Sequence, residues 1–221
     1  MKLAIFDLDH TLLSGDSDVL WCEFLLARGE LDAASFAVRH AEVERGYRVG
    51  SIAPQAFTEF YLATLAGRSR AQWLELREAY LRDCIVPRIP ASARALVHSH
   101  RAAGEVLVLS TATNRFLTEL TATELGFEHL IATEPEEAGG VFTGRARGTI
   151  NMREGKPLRL REWLAAMGWP AALLDDAVGY SDSVNDLPLL QAVARPVAVD
   201  PDDRLLAHAM AHGWAVLRLP R

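Results

Sequence analysis

Two aspartates, Asp7 and Asp9, flank Leu8 at the end of a short apolar run, residues 3–6. On an extended backbone, side chains two residues apart point to the same face. Like charges held that close need a cation beside them. A divalent metal answers the need, and carboxylate oxygens favour Mg²⁺. Solvation at a strand end is the other account of the pair. A second acidic pair, Asp182 and Asp186, brackets the turn after the apolar run 177–180, where Asp182 sits at a strand tip and Asp186 at a helix start. Between the two pairs lie Ser110-Thr111-Ala112-Thr113, directly after the apolar run 106–109, and Lys156 in Gly155-Lys156-Pro157. Small hydroxyl residues and free amides at a strand end suit an anionic oxygen, and they equally suit capping of a helix over residues 114–125. Lys156 is notable because a cation at a helix N-terminus opposes the macrodipole.

The elements that must carry these groups follow from periodicity. Residues 16–28 carry Val19, Leu20, Phe24 and Leu25 at helical spacing, with Asp16 or Ser17 as N-cap. Further helices are expected over 32–47, 54–65 and 69–84, separated by Gly29, by Gly46 and Gly50, and by Gly67. From Pro87 and Pro90 onward helices alternate with apolar runs at 106–109, 129–132, 177–180, 196–199 and 214–217. That alternation predicts a parallel sheet with crossover helices. A hairpin is expected over 140–152, and Glu134 to Glu137 are expected in a solvated loop. The resulting fold class is α/β: a Rossmann-like, doubly wound parallel sheet with an inserted four-helix bundle. The expected division is a core of residues 1–14 and 87–221 and a helical insertion of residues 15–86.

Composition narrows the function. The chain has 221 residues, half of them hydrophobic, and a net charge of −6. With no basic cluster, neither nucleic acid nor an anionic membrane is an expected partner. No apolar run reaches membrane-spanning length, and Asp7 interrupts the start before a signal-peptide core could form. Cys22 and Cys84 fit no zinc or redox spacing and read as reduced thiols, so a cytoplasmic location is expected. His208 and His212, four apart, lack a third ligand nearby and read as exposed side chains. His10 is expected to point outward on an extended strand, and the five tryptophans to serve packing.

Together and in this order, the motifs Asp7-Leu8-Asp9-His10-Thr11, Ser110, Lys156 and Asp182-Ser183-Val184-Asn185-Asp186 resemble the haloacid dehalogenase superfamily of phosphohydrolases. The helical insertion resembles the C1 cap of its phosphoserine-phosphatase-like branch, subfamily IB. The likeness spans nearly the whole chain, with one departure: Ser110-Thr111-Ala112 stands where phosphoserine phosphatases usually carry Ser-Gly-Gly. The resemblance implies Asp7 as nucleophile forming an aspartyl-phosphate and Asp9 as general acid/base. It implies Mg²⁺ held by the Asp7 carboxylate, the Asp9 carbonyl and the Asp182 carboxylate. Lys156 would neutralise charge, Ser110 and the Thr111 amide would bind phosphate, Asn185 would orient the phosphoryl group or a metal water, and Asp186 would hold a metal-bound water or Lys156.

The cap reads the leaving group in this branch, so selectivity is expected within residues 16–84. Asp16 stands seven residues beyond Asp9, where phosphoserine phosphatases carry an acid facing the substrate amine, and Asp18 adds a second carboxylate. Helix capping explains the same two acids. Arg39, Arg45, Tyr47 and Arg48 are further candidates for the pocket. The expectation is a Mg²⁺-dependent phosphomonoesterase for a small, amino-bearing metabolite such as histidinol phosphate, phosphoserine or a phosphocholine-like compound. A phosphotransferase or phosphomutase using the same aspartyl-phosphate, or a non-catalytic phosphate-binding signalling module, is the alternative. Oligomeric state is not readable from the sequence.

Overall fold

The computed structural model describes residues 1–48 and 52–221, with side chains for all of these except Glu44, Tyr47 and Arg48. Strand β1 (Leu3–Phe6) is apolar throughout and wholly buried, as a central strand covered on both faces must be. After it come helices α1 (Ser17–Ala27), α2 (Ala33–Arg48), α3 (Pro54–Leu62) and α4 (Arg70–Tyr80), before α5 (Ala91–Ala102) returns the chain to the sheet. The remainder alternates: β2 (Val106–Asn114), α6 (Arg115–Leu125), β3 (His129–Ala138), β4 (Val141–Arg147), α7 (Gly155–Ala166), β5 (Val178–Ser181), the single turn α8 (Leu187–Leu190), β6 (Arg195–Val199), α9 (Asp203–His212) and β7 (Ala215–Leu217).

Among the described residues the strands form one seven-stranded sheet in the order β4-β3-β2-β1-β5-β6-β7, parallel except for β4. Phe6 is in register with Leu109 of β2 and Tyr180 of β5. The chain builds outward from β1 to β4 and then restarts at β5 on the other side of β1. The crevice beyond the carboxyl ends of β1, β2 and β5 is therefore where distant segments converge. One face packs Leu3, Ile5 and Val108 under Leu160 and Leu164 of α7. The other packs Phe6, Leu109 and Tyr180 under Val97 of α5 and Phe116 of α6. Each such leucine contributes roughly 1.5–3 kcal/mol by leaving water, which fixes α7, and with it Lys156, against the sheet.

The helical segment is held together by an aromatic cluster and tied to the sheet through a hairpin. Trp21 and Phe24 of α1 pack with Trp73 and Tyr80 of α4, and the Tyr80 hydroxyl donates to the Ser17 carbonyl at 2.6 Å. The β3–β4 hairpin reaches up to the segment as well: Gly67 N donates to Phe142 O (2.9 Å) and Phe142 N to Arg68 O (3.0 Å). Gly144, at φ 83°, lies against Ala63, where an added Cβ would come within 3.1 Å of its Cα.

That hairpin corrects two sequence expectations. Glu134 to Glu137 belong to β3, and the hairpin turns at Gly139-Gly140, so residues 140–152 hold only its second strand. The acids are tolerated because each has a partner: Glu134 takes Arg115 at 2.8 Å, Glu136 takes Thr143 at 2.7 Å, and Glu137 takes Arg70 at 2.8 Å. Among the described residues no helix is long and apolar enough to cross a membrane.

Candidate active site

Beyond Phe6 the chain closes a tight turn. The Leu8 carbonyl accepts from the amides of Thr11, Leu12 and Leu13, and His10 takes a left-handed φ of 55°. His10 is therefore exposed on a turn rather than extended on a strand. The turn brings Thr11 back over the strand end. Its hydroxyl lies 3.0 Å from Asp7 Oδ2 and 3.1 Å from Asp182 Oδ1, and it accepts the Asp182 amide at 3.1 Å. One hydroxyl proton thus serves two facing carboxylates.

Lys156 enters from the first turn of α7, only 2% exposed, with Nζ at 2.6 Å from both Asp7 Oδ1 and Asp186 Oδ2. Asp186 Oδ2 also accepts from Ser181 Oγ at 2.8 Å. Burial works against the ammonium, but the two carboxylates outweigh it and hold Lys156 protonated. Gly155 permits this entry, since a Cβ there would meet the Ile150 carbonyl. Burial raises Asp7 to about 7 against the pull of Lys156, with Asp186 and Asp9 adding repulsion. Asp182 is raised to about 8 by burial and by its neighbours Asp7 and Asp186.

Asp9 leans the other way, toward the helices. Its Oδ1 accepts the Ser17 amide at 2.7 Å and its Oδ2 accepts Thr113 Oγ1 at 3.0 Å, with Thr111 Oγ1 at 3.4 Å. Burial and the repulsion of Asp16 lift it to about 6. The Thr113 hydroxyl also lies 3.1 Å from Asp18 Oδ2 and accepts from Ser17 Oγ at 3.0 Å. Burial, then Asp16 and Asp9, push Asp18 well above the usual carboxylate range.

The sequence candidates meet differently from one another. Asp7, Asp9, Lys156, Asp182, Asn185 and Asp186 line one cleft of about 180 Å³. Ser110 is fully buried, its Oγ accepting from Asn151 Nδ2 at 3.2 Å. Residues 110–113 continue β2, and Asn114 caps α6 by accepting the Leu117 amide, so the Ser/Thr pair does not serve as that cap. Asp16 is the N-cap of α1, accepting from the amides of Asp18 and Val19, and Asp16 and Asp18 both border the cleft. Arg45 is exposed on α2 and Arg39 stacks over Phe60; neither borders the cleft. The side chains of Tyr47 and Arg48 lie outside the described residues.

Four further residues belong to the site. Thr11 is inside the first motif, yet its bridging place needed the turn to be seen. Thr113 is one more hydroxyl in a hydroxyl-rich stretch. Asn151 is buried, its amide donating to the carbonyls of Thr111 and Ile131 at 2.9 Å each. Thr58 lines the cleft from α3 beside Phe57. Nothing in the sequence singles out the last two.

A hard divalent cation fits this donor set. Asp7 and Asp182 face each other across a single shared proton, and burial disfavours their ionised forms even with Lys156 beside Asp7, so a further positive charge between them is favoured. Among the described residues no three His, Cys, Asp or Glu side chains form a closed metal cage. Two carboxylates and a backbone carbonyl suit an ion that keeps several waters, as Mg²⁺ does.

Acids, hydroxyls and one buried lysine at the carboxyl edge of a doubly wound sheet define a phosphohydrolase-type site. The chain belongs to the haloacid dehalogenase-like hydrolase family, whose profile matches residues 4–191. It is 39% identical over 217 residues to a histidinol-phosphatase of Neisseria meningitidis, covering 98% of both chains. It is 33% identical to a phosphoserine phosphatase of Mycobacterium tuberculosis, over 96% of this chain and 69% of that protein. A Bordetella pertussis protein of unknown function has a solved structure with TM-score 0.93 and 42% identity, over 98% of this chain and 97% of that one. A substrate-bound phosphoserine phosphatase shares the fold at TM-score 0.69 and 14% identity, over 100% and 93%. The protein is thus a phosphatase of the phosphoserine-phosphatase-like branch.

Proposed function

We propose that the protein is a Mg²⁺-dependent phosphomonoesterase that hydrolyses a small amino-bearing phosphate, histidinol phosphate foremost, through an aspartyl-phosphate. The observation that carries this reading is the pairing of Lys156 with Asp7 at 2.6 Å, with a second, differently held carboxylate, Asp9, in the same cleft. A carboxylate oxygen of Asp7 bonds to phosphorus as the bond to the ester oxygen breaks. Asp9, raised to about 6, gives its proton to the departing alkoxide and then takes one from the water that attacks the acyl phosphate. Inorganic phosphate leaves and Asp7 is restored.

Lys156 offsets the charge on Asp7 and the phosphoryl oxygens, and Asp186 holds Lys156 in place. Ser110, whose oxygen accepts from Asn151, keeps its own proton to donate to phosphate, alongside the Thr111 amide. Asn185 orients the phosphoryl group from the turn just before α8. Asp7 and Asp182, with the Asp9 carbonyl, would hold Mg²⁺, which supplies charge neutralisation at the phosphoryl oxygens. Residues 15–86 act as a cap over a core of residues 1–14 and 87–221. The histidinol-phosphatase relative, similar along its whole length, supports the choice of substrate.

Phosphate release from a panel of histidinol phosphate, phosphoserine, phosphoethanolamine and phosphocholine, with Mg²⁺, tests the reading. The highest kcat/KM is expected with histidinol phosphate. No release from any of the four would overturn it.

A further inference from the structure

On the cap side of the cleft, two buried polar atoms have no hydrogen-bond partner among the described residues: Asp18 Oδ1 on α1 and Thr58 Oγ1 on α3. Both residues border the cleft that holds Asp7 and Lys156. Unpaired buried polar atoms are costly and scarce in folded proteins, so two from different helices beside one cleft call for an account.

The ordinary explanations do not cover them. An acid in a helix's first turn serves its free amides, but here Asp16 Oδ1 already accepts from Asp18 N and Val19 N at 2.9 and 3.0 Å. Asp18 is left with one oxygen on Thr113 Oγ1 and the other unpaired. A threonine inside a helix usually turns its hydroxyl back onto the carbonyl four residues earlier. Thr118 and Thr123 do so in α6, at 2.9 and 3.0 Å. Thr58, 7% exposed, does not.

Resting on the phosphatase reading above, we infer that Asp18 and Thr58 form the subsite for a primary ammonium group on the substrate's leaving alcohol. An ammonium carries three N–H donors and no acceptor, which suits two unpaired oxygens. Its charge suits a corner lined by Asp9, Asp16 and Asp18, where a carboxylate or second phosphate on the alcohol would be repelled. Asp16, occupied as the helix cap, is not the anchor.

The test compares histidinol phosphate with its N-acetyl derivative, which keeps the phosphate and removes the charge. The readout is the ratio of kcat/KM for the two in the wild type, Asp18→Asn and Thr58→Val. The wild type should prefer the amine. Asp18→Asn should lower the ratio about tenfold or more, as expected for a charge-assisted hydrogen bond, and Thr58→Val by about two- to fivefold. Thr58→Val retains the side chain's shape and serves if Asp18→Asn does not fold. Titration calorimetry of the same pair repeats the comparison without turnover. Amine-dependent binding lost in the variants, with no hydrolysis by the wild type, would refute the phosphatase reading and leave the subsite standing. Hydrolysis with ratios equal in the wild type and both variants would overturn the subsite alone.

Discussion

On the core side of the cleft, Asp7 and Asp186 share the Lys156 ammonium at 2.6 Å each, and Thr11 spans Asp7 and Asp182. On the cap side, Asp9 and Asp18 meet hydroxyls and a backbone amide, and among the described residues Asp18 Oδ1 and Thr58 Oγ1 find no partner. Both sides are acidic and buried, so the contrast lies in what neutralises them. The chain supplies a cation to the core side from its own α7, which holds a reaction centre in one geometry before anything binds. Among the described residues it supplies none to Asp9 and Asp18, and leaves that side for the ligand to complete. A division of this kind lets the chemistry stay constant while the cap residues select.

The sharpest way to break that contrast is to remove the core carboxylate. Asp7→Asn keeps the size and one acceptor, but an amide does not attack phosphorus. A fall in kcat of about four orders of magnitude or more is expected, as for loss of a nucleophile elsewhere. Steady-state phosphate release, with circular dichroism to verify the fold, measures it. Near-normal turnover would mean that the core side is merely a structural ion-pair network.

The two sides also differed in how far the sequence disclosed them. Asp7, Asp182, Asp186 and Lys156 were legible because each stands where an apolar run stops or a helix begins, and the sheet topology leaves such ends together. Asp16 and Asp18 were not separable. Which of two acids caps a helix depends on which residue takes extended dihedrals, and here Asp16 does, at φ −102° and ψ 122°. Thr58 gave no signal at all, since its significance is a back-bond it does not make. The acids of β3 misled for a related reason: their partners Arg115, Thr143 and Arg70 come from elsewhere in the chain. Composition records charge, and only the fold records who answers it.

A smaller effect should appear in stability. Asp9, Asp7 and Asp182 have folded pKa values of about 6, 7 and 8, all above the ordinary 3.8. A carboxyl raised on folding stabilises fully below the unfolded value, and that contribution is lost as pH rises through the folded value. The metal-free protein should therefore lose stability from about pH 4 to about pH 8. A cation bound to Asp7 and Asp182 favours their ionised forms, so the stabilisation by Mg²⁺ should grow over the same interval. Melting curves with chelator and with Mg²⁺ at about pH 5 and about pH 8 should show the larger shift at the higher pH, on the order of several degrees. An equal shift at both would place the cation away from these carboxylates.

The smallest expected effect separates the two acids of α1. Asp16 caps the helix through one side-chain oxygen, and serine is as good a cap as aspartate. Asp16→Ser should then keep stability within about 0.5 kcal/mol, whereas Asp16→Ala should cost about 1 kcal/mol in urea unfolding. Serine carries no charge, so the same variant asks whether Asp16 also reads the substrate. Raised Asp9 and Asp18 both owe part of their shift to Asp16. Its removal should ease the ionisation of Asp18 and leave the preference for an amine over its N-acetyl form intact or slightly increased. A marked loss of that preference in Asp16→Ser, with stability retained, would move the anchor back to the helix cap and erase the distinction between the two acids.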